Sequence, residues 1–317
     1  MHPLPSRPLT AANAADLQAL LREPALAGHY EQISRPDGVA DLLADPHLDA
    51  GGARVAYEGG RAVGFCLPLV FTDVAAPWAM VMLGVAERCR RRGLGSALLA
   101  AAAERLRAHP AGPFNELCLA AWRPNPAAEA FLARHGFRRA RTFWLMERPL
   151  GEVPAPAYPP GVEIRGFDGS EAALADWTAA YNDSFAAHYH FVPATLEFTR
   201  ALVAQSLFDP AGLLLAYRDG RCVGYVRSLL LEARGEVGIL GVTREARGIG
   251  LGRALLRAGV RWLEARGAPR VTLMVDGDNE NALRLYRQEG FEVARTRDIH
   301  ARVPRPQRPG RADAFPP

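Results

Sequence analysis

The chain has 317 residues, 49% of them hydrophobic and 23% charged, which is enough apolar material for two cores and too balanced for a wholly disordered or fibrous protein. A net charge of +4 spread over this length excludes a strongly basic nucleic-acid binder, and all 38 basic residues are arginines, which excludes phosphate-loop and Schiff-base lysine chemistry. No stretch approaches the roughly 20 apolar residues of a membrane span, no secretory signal opens the chain, and Cys66, Cys89, Cys118 and Cys222 form no C-x-x-C pair, so a cytoplasmic protein with reduced thiols and no membrane partner is expected.

In chain order, the pattern predicts strands over 54–58, 62–71 and 78–85, a helix near 93–108, a strand over 116–121 and a helix near 126–135. The segment RPLGEVPAPAYPPG then forbids helix and interrupts pairing, and reads as a linker over 149–161. After it come a strand over 162–167, helical stretches near 170–190 and 194–206, and a hairpin of 213–218 with 222–231 around the turn residues Asp219 and Gly220. A strand over 236–242, a helix over 250–266 stopped by Gly267, a strand over 271–275 and a helix over 281–289 stopped by Gly290 complete the reading. The expected domains are 1–148 and 162–303, with a flexible tail at 304–317.

The second half repeats the first. Gly60, Arg61, Val63 and Gly64 match Gly220, Arg221, Val223 and Gly224; GVAERCRRRGLGSALL at 84–99 matches GVTREARGIGLGRALL at 241–256; and Asn125, Gly136 and Phe137 match Asn279, Gly290 and Phe291, at offsets of 160, 157 and 154. The constant order and slow drift of the offsets identify a duplicated domain. In each copy a strand leads through an arginine- and glycine-rich turn into a helix, so that bare backbone N–H groups and the positive end of the helix face a common point, a cradle for pyrophosphate. The candidate cradles are Arg247-x-x-Gly250-x-Gly252 and Arg90-x-x-Gly93-x-Gly95. A dinucleotide fold fits poorly, because the third glycine of G-x-G-x-x-G is replaced by Arg253 and Leu98.

These segments resemble the R/Q-x-x-G-x-G/A signature of the GNAT acyltransferases, and the later Asn279, Ala282, Gly290 and Phe291 resemble the next motif of that family. The resemblance implies an α/β (α+β) fold of two tandem GNAT-like domains, each a mixed central sheet flanked by helices, using acetyl-CoA as co-substrate and no metal. It implies that CoA is held in the second copy by Leu240, Gly241, Val242, Arg247, Gly248, Ile249, Gly250, Leu251, Gly252, Arg253 and Asn279, and in the first by Leu83, Val85, Arg90, Arg91, Gly93, Gly95 and Ser96. It places the general acid at Tyr286 and the base at Glu236, whose counterparts in the first copy are Leu132 and Ala79, so catalysis is expected in the second copy alone, with CoA binding retained in both. A main-chain N–H near Leu240, Gly241 or Val242 would hold the oxyanion.

Alternatives stay open. Tyr286 also suits a core position beside Leu283 and Leu285, Glu236 also suits a solvated strand end, and the first copy's glycines suit a structural turn. His188 and His190 read as pocket lining or surface without a third metal ligand, and Asp276, Asp278 and Asn279 as a polar turn lacking the later glutamate of a calcium loop. The expected activity is N-acetylation of a small-molecule or peptide amine by a monomer or homodimer; the alternative is a non-catalytic acyl-CoA-binding or sensing protein.

Overall fold

The structure, a computed structural model, describes residues 5–149, 151–231 and 234–303, so Leu150 and the tail expected at 304–317 lie outside the described residues. The strands are β1 (Ser6–Pro8), β2 (Arg54–Glu58), β3 (Arg61–Phe71), β4 (Trp78–Val85), β5 (Glu116–Arg123), β6 (Arg138–Pro149), β7 (Val162–Gly166), β8 (Leu213–Arg218), β9 (Arg221–Leu231), β10 (Arg234–Val242), β11 (Arg270–Asp276) and β12 (Glu292–Arg302). The α-helices are α1 (Ala14–Leu21), α2 (Pro24–Ala27), α3 (Glu31–Ser34), α4 (Gly38–Leu43), α5 (Leu94–Arg107), α6 (Pro126–Arg134), α7 (Glu171–Phe185), α8 (Leu196–Val203), α9 (Leu251–Glu264) and α10 (Glu280–Gln288). The expected α/β architecture is present, and the helices expected near 170–190 and 194–206 are shorter, α7 and α8 ending at Phe185 and Val203.

The contacts divide the chain into unit 1, residues up to 141 with those from 297 onward, and unit 2, residues 142–296. In unit 1 the sheet order is β1-β2-β3-β4-β5-β12, antiparallel from β1 to β4 and parallel between β4 and β5. In unit 2 it is β7-β8-β9-β10-β11-β6, with β10 and β11 the parallel pair and the other neighbours antiparallel. The strand that follows α6 in the chain thus completes the sheet of unit 2, and the strand that follows α10 completes that of unit 1. The sequence boundary at 148/149 missed this exchange, because local pattern marks a strand without naming its partner. The proline-rich segment is itself part of unit 2: Val153 is buried, its carbonyl accepting from Arg261 Nη1 at 2.9 Å.

Unit 2's helices form for visible reasons. Leu251, Ala254, Leu255, Ala258 and Leu263 recur at helical spacing on the buried face of α9, while Arg253 and Arg257 turn toward α10, Arg257 gripping Glu289 at 2.8 and 3.0 Å. Ser170, Thr195 and Asn279 cap α7, α8 and α10 with their side chains. The hairpin turn between β8 and β9 has positive φ at both Asp219 and Gly220, the mirror-image turn that matches strand twist.

Candidate active site

The parallel pairing of β10 with β11 covers only Gly235, Glu236 and Val237, and the register breaks between Val237 and Ile239. Beyond that bulge β10 continues along β9 alone, so its other edge opens into a gap beside β11. Which residues face the gap follows from alternation. Thr243 N donates to Val223 O at 3.0 Å, which makes Thr243 a residue turned toward β9; Gly241 is then turned the same way, while Leu240 and Val242 direct their N–H and C=O groups into the gap. Of the three expected oxyanion donors the geometry therefore favours Leu240 and Val242. Gly241 is a glycine for another reason, since a Cβ there would lie 2.5 Å from the Tyr225 ring.

The gap ends at the loop. Gly250 caps α9 at φ +89° with open space where its Cβ would be, so the left-handed backbone, rather than crowding, requires glycine. Gly248 is also left-handed, at φ +79°. The first N–H groups of α9, from Leu251 to Arg253, are left without helical carbonyls, as anion binding needs. Gly252 would seat a methyl at ordinary contact distance from Val242. Ile249 is an exposed apolar residue of the same loop. Two arginines expected at the phosphates are engaged elsewhere: Arg247 donates from Nε to Val242 O at 3.3 Å and from Nη2 to Ser184 O at 2.9 Å, and Arg253 reaches Gln288 and Glu289. Both pin the loop, and the bare backbone N–H groups of α9 add anion donors of their own. Asn279 accepts from Ala282 N at 3.1 Å through its Oδ1, a helix cap.

Tyr286 lies on α10 with its ring buried edge-on against Phe291, 6.1 Å between centroids, and its hydroxyl takes no hydrogen bond among the described residues. Burial pushes that hydroxyl up to about 12, which keeps it protonated at neutral pH and able to donate. Glu236, half-buried at the last paired turn of β10, accepts from Arg234 Nη2 at 3.2 Å, and Arg234 Nε is fixed by Thr272 Oγ1 at 3.0 Å. The solvated strand end is thus replaced by a positioned carboxylate beside the start of the gap. His188 packs at 4.3 Å on Phe185, His190 stacks at 3.9 Å on Tyr189, and Asp276 closes a turn by accepting from Asp278 N at 3.1 Å.

Unit 1 repeats the frame with different contents. Ala86 N donates to Val63 O at 2.8 Å, so Leu83 and Val85 face the equivalent edge; Arg90 Nε donates to Val85 O at 3.2 Å and its Nη2 to Ala25 O at 3.3 Å. Gly93 is left-handed at φ +81°, and Arg91 holds φ +61° where unit 2 has Gly248. Ser96 is hydrogen-bonded to His135 at 2.9 Å, and Gly95 leaves room toward Phe131. The Leu83 carbonyl is taken by the Tyr30 hydroxyl at 2.7 Å, with the Tyr30 ring edge-on to Phe65. Sequence reasoning missed Tyr30, whose position between two short helices carries no pattern, and it missed Arg227 on β9, whose signal is a lone charge inside the apolar run CVGYVRSLLL.

Residues 16–137 and 174–291 both match the profile of the acetyltransferase (GNAT) family. The chain belongs to the GNAT acetyltransferase family. Its relatives include proteins named mycothiol acetyltransferase from Thermomonospora curvata, 39% identical over 82% of this chain and 87% of that one, and from Frankia alni, 38% identical over 92% and 91%. Among solved structures, a GCN5-related N-acetyltransferase from Sphaerobacter thermophilus shares the fold at a TM-score of 0.72 and 26% identity, covering 96% of each chain. A tandem GNAT protein from the clavulanic acid biosynthesis pathway shares it at 0.72 and 23%, covering 96% of this chain and all of that one. The chain is an N-acetyltransferase of tandem GNAT layout, from a family that uses acyl donors of the acetyl-CoA type. Among the described residues no helix is long and apolar enough to cross a membrane.

Proposed function

We propose that unit 2 transfers the acetyl group of acetyl-CoA directly to a primary amine of the kind acetylated in mycothiol formation, with no metal, and that unit 1 keeps a CoA-binding loop without chemistry. The carrying observation is the open edge of β10: the Leu240 N–H faces the gap between β10 and β11, above a loop shaped for pyrophosphate, with Glu236 at the foot of the same strand. The fit to the co-substrate rests on the gap's unpaired backbone, which offers donors and acceptors to an amide-bearing arm, and on the bare N–H groups of α9 for its phosphates.

In this reading Glu236, directly or through one water, takes the proton from the substrate ammonium, and Arg234 holds the carboxylate in place for it. The freed nitrogen attacks the thioester carbonyl carbon while the Leu240 N–H stabilises the negative charge that develops on the carbonyl oxygen, a donor of the sort worth about 10²–10³ in rate. As the carbon–sulfur bond breaks, Tyr286 gives its hydroxyl proton to the departing thiolate, and the second proton shed by the nitrogen as it becomes an amide passes through solvent to restore the tyrosine. A cytoplasmic location, a monomer or homodimer and no nucleic-acid partner complete the proposal. The test is release of CoA thiol from acetyl-CoA with mycothiol lacking its acetyl group, beside a panel of simple amines; tight CoA binding without turnover on any of them would instead favour a sensor.

A further inference from the structure

Arg227 is 9% exposed in the middle of β9 and shares a sheet face with Tyr225 and Leu229. Tyr225 packs on Trp177 and bonds to Ser184, which fixes that face as the one covered by α7. The Phe208 ring lies 5.6 Å from the guanidinium carbon, and Glu236 is close enough for its charge to act on Arg227. Burial disfavours the cation, bringing the side chain down to about 10, yet it remains charged at neutral pH.

Other arginines of unit 2 are served differently. Arg234, on the same sheet face, spends its Nε on Thr272 and an Nη on Glu236, and Arg257 elsewhere in the unit spends two donors on Glu289. The Nε of Arg227 is fully buried with no hydrogen-bond partner, and among the described residues its guanidinium donates to nothing. A desolvated cation with idle donors is costly and is retained where a ligand supplies the missing acceptor. The Arg234–Glu236 pair is neutral by itself, so Arg227 leaves one uncompensated positive charge on the face that carries the proposed base.

We propose that Arg227 is an acceptor-binding residue: its guanidinium donates to an oxygen of the amine substrate, placing the substrate nitrogen toward Glu236. The preferred substrates are amines bearing a carbonyl, hydroxyl or carboxylate oxygen a few bonds from the nitrogen, against plain alkylamines. This rests on unit 2 being the transferring unit.

The test uses the full chain loaded with CoA and titrated calorimetrically with L-alaninamide, L-alanine and isopropylamine, which share one branched carbon and differ in the oxygen. Wild type is expected to favour an oxygen-bearing amine, the better of the two identifying a neutral or an anionic partner. Arg227→Met should weaken that ligand by about 10- to 100-fold, to the level of isopropylamine, with CoA affinity unchanged and Arg227→Lys intermediate. Because an unpaired buried cation is removed, the melting temperature of Arg227→Met should hold or rise. Equal binding of all three by wild type, a preference that survives Arg227→Met, or loss of CoA binding and melting temperature together in that variant would overturn the proposal. CoA release is read separately: a binding preference without turnover on any amine would sink the transferase mechanism and leave the Arg227 assignment standing.

Discussion

Units 1 and 2 hold the same turn and differ in what surrounds it. The left-handed glycine before the helix, the arginine tied to the strand's last carbonyl and the capping asparagine occur in both. At the chemical positions unit 1 has buried Leu132 and Ala79 where unit 2 has Tyr286 and Glu236, and its Leu83 carbonyl is closed by Tyr30 whereas that of Leu240 faces the gap. The difference teaches which residues the fold itself demands. The turn is needed to pass from strand to helix and persists even where Arg91 must adopt a backbone that costs about 1 kcal/mol for a residue with a Cβ. The polar groups of the proposed acid and base are not what the turn needs, and in unit 1 the apolar Leu132 and Ala79 fill the corresponding places.

The comparison breaks most sharply at the two capping glycines. Gly250→Asp adds a strained backbone and a negative charge at the mouth of α9, and turnover should fall to near background, while Gly93→Asp should leave turnover intact and lower the CoA stoichiometry from two per chain to one. Equilibrium titration alongside thiol release decides both; a single site lost with Gly250→Asp and kept with Gly93→Asp would make unit 1 a scaffold. Next in size, Tyr286→Phe should lower kcat by about 10²-fold or more without altering CoA affinity. Because burial raises the Tyr286 hydroxyl, its proton is fully present below its ordinary value near 10 and is lost only as pH passes about 12, so the wild-type rate should show no alkaline fall from this group below that range. Wild-type kcat in Tyr286→Phe, with chemistry rate-limiting, would remove the acid role.

Glu236→Gln should cost about 10²-fold near neutrality, and the loss should shrink as pH rises and the substrate amine deprotonates unaided. A pH-independent loss would make Glu236 a packing residue. The smallest effect is expected for Tyr30→Phe, which strips one hydrogen bond from Leu83 in unit 1: about 1 kcal/mol of stability by denaturant melts, and no change in turnover.

Much of this was legible in the amino-acid order because it is local. The hairpin turn at Asp219 and Gly220, the stop at Gly290 and the two loops each follow from a backbone conformation that few residues tolerate, and the structure places them as read. Less legible were the partners of Arg247 and Asn279, whose side chains meet Val242, Ser184 and Ala282 within the protein; spacing alone does not say which carbonyl or N–H a side chain reaches. The gap-facing side of β10 and the solitary state of Arg227 depend on register across strands far apart in sequence, which no window along the chain contains.

The exchanged strands set the order in which the protein can be finished. During synthesis unit 1 has all its helices and five of its strands by Arg141, yet β12, which completes its sheet, emerges only after the whole of unit 2 has been made. Until then β5 presents a bare edge. Unit 2, whose own closing strand β6 leaves the ribosome before the rest of it, is the one able to mature first. The same wiring means that cutting the gene at the proline-rich segment yields no half with its own last strand, so neither duplicated domain completes its sheet without residues from the far side of the cut.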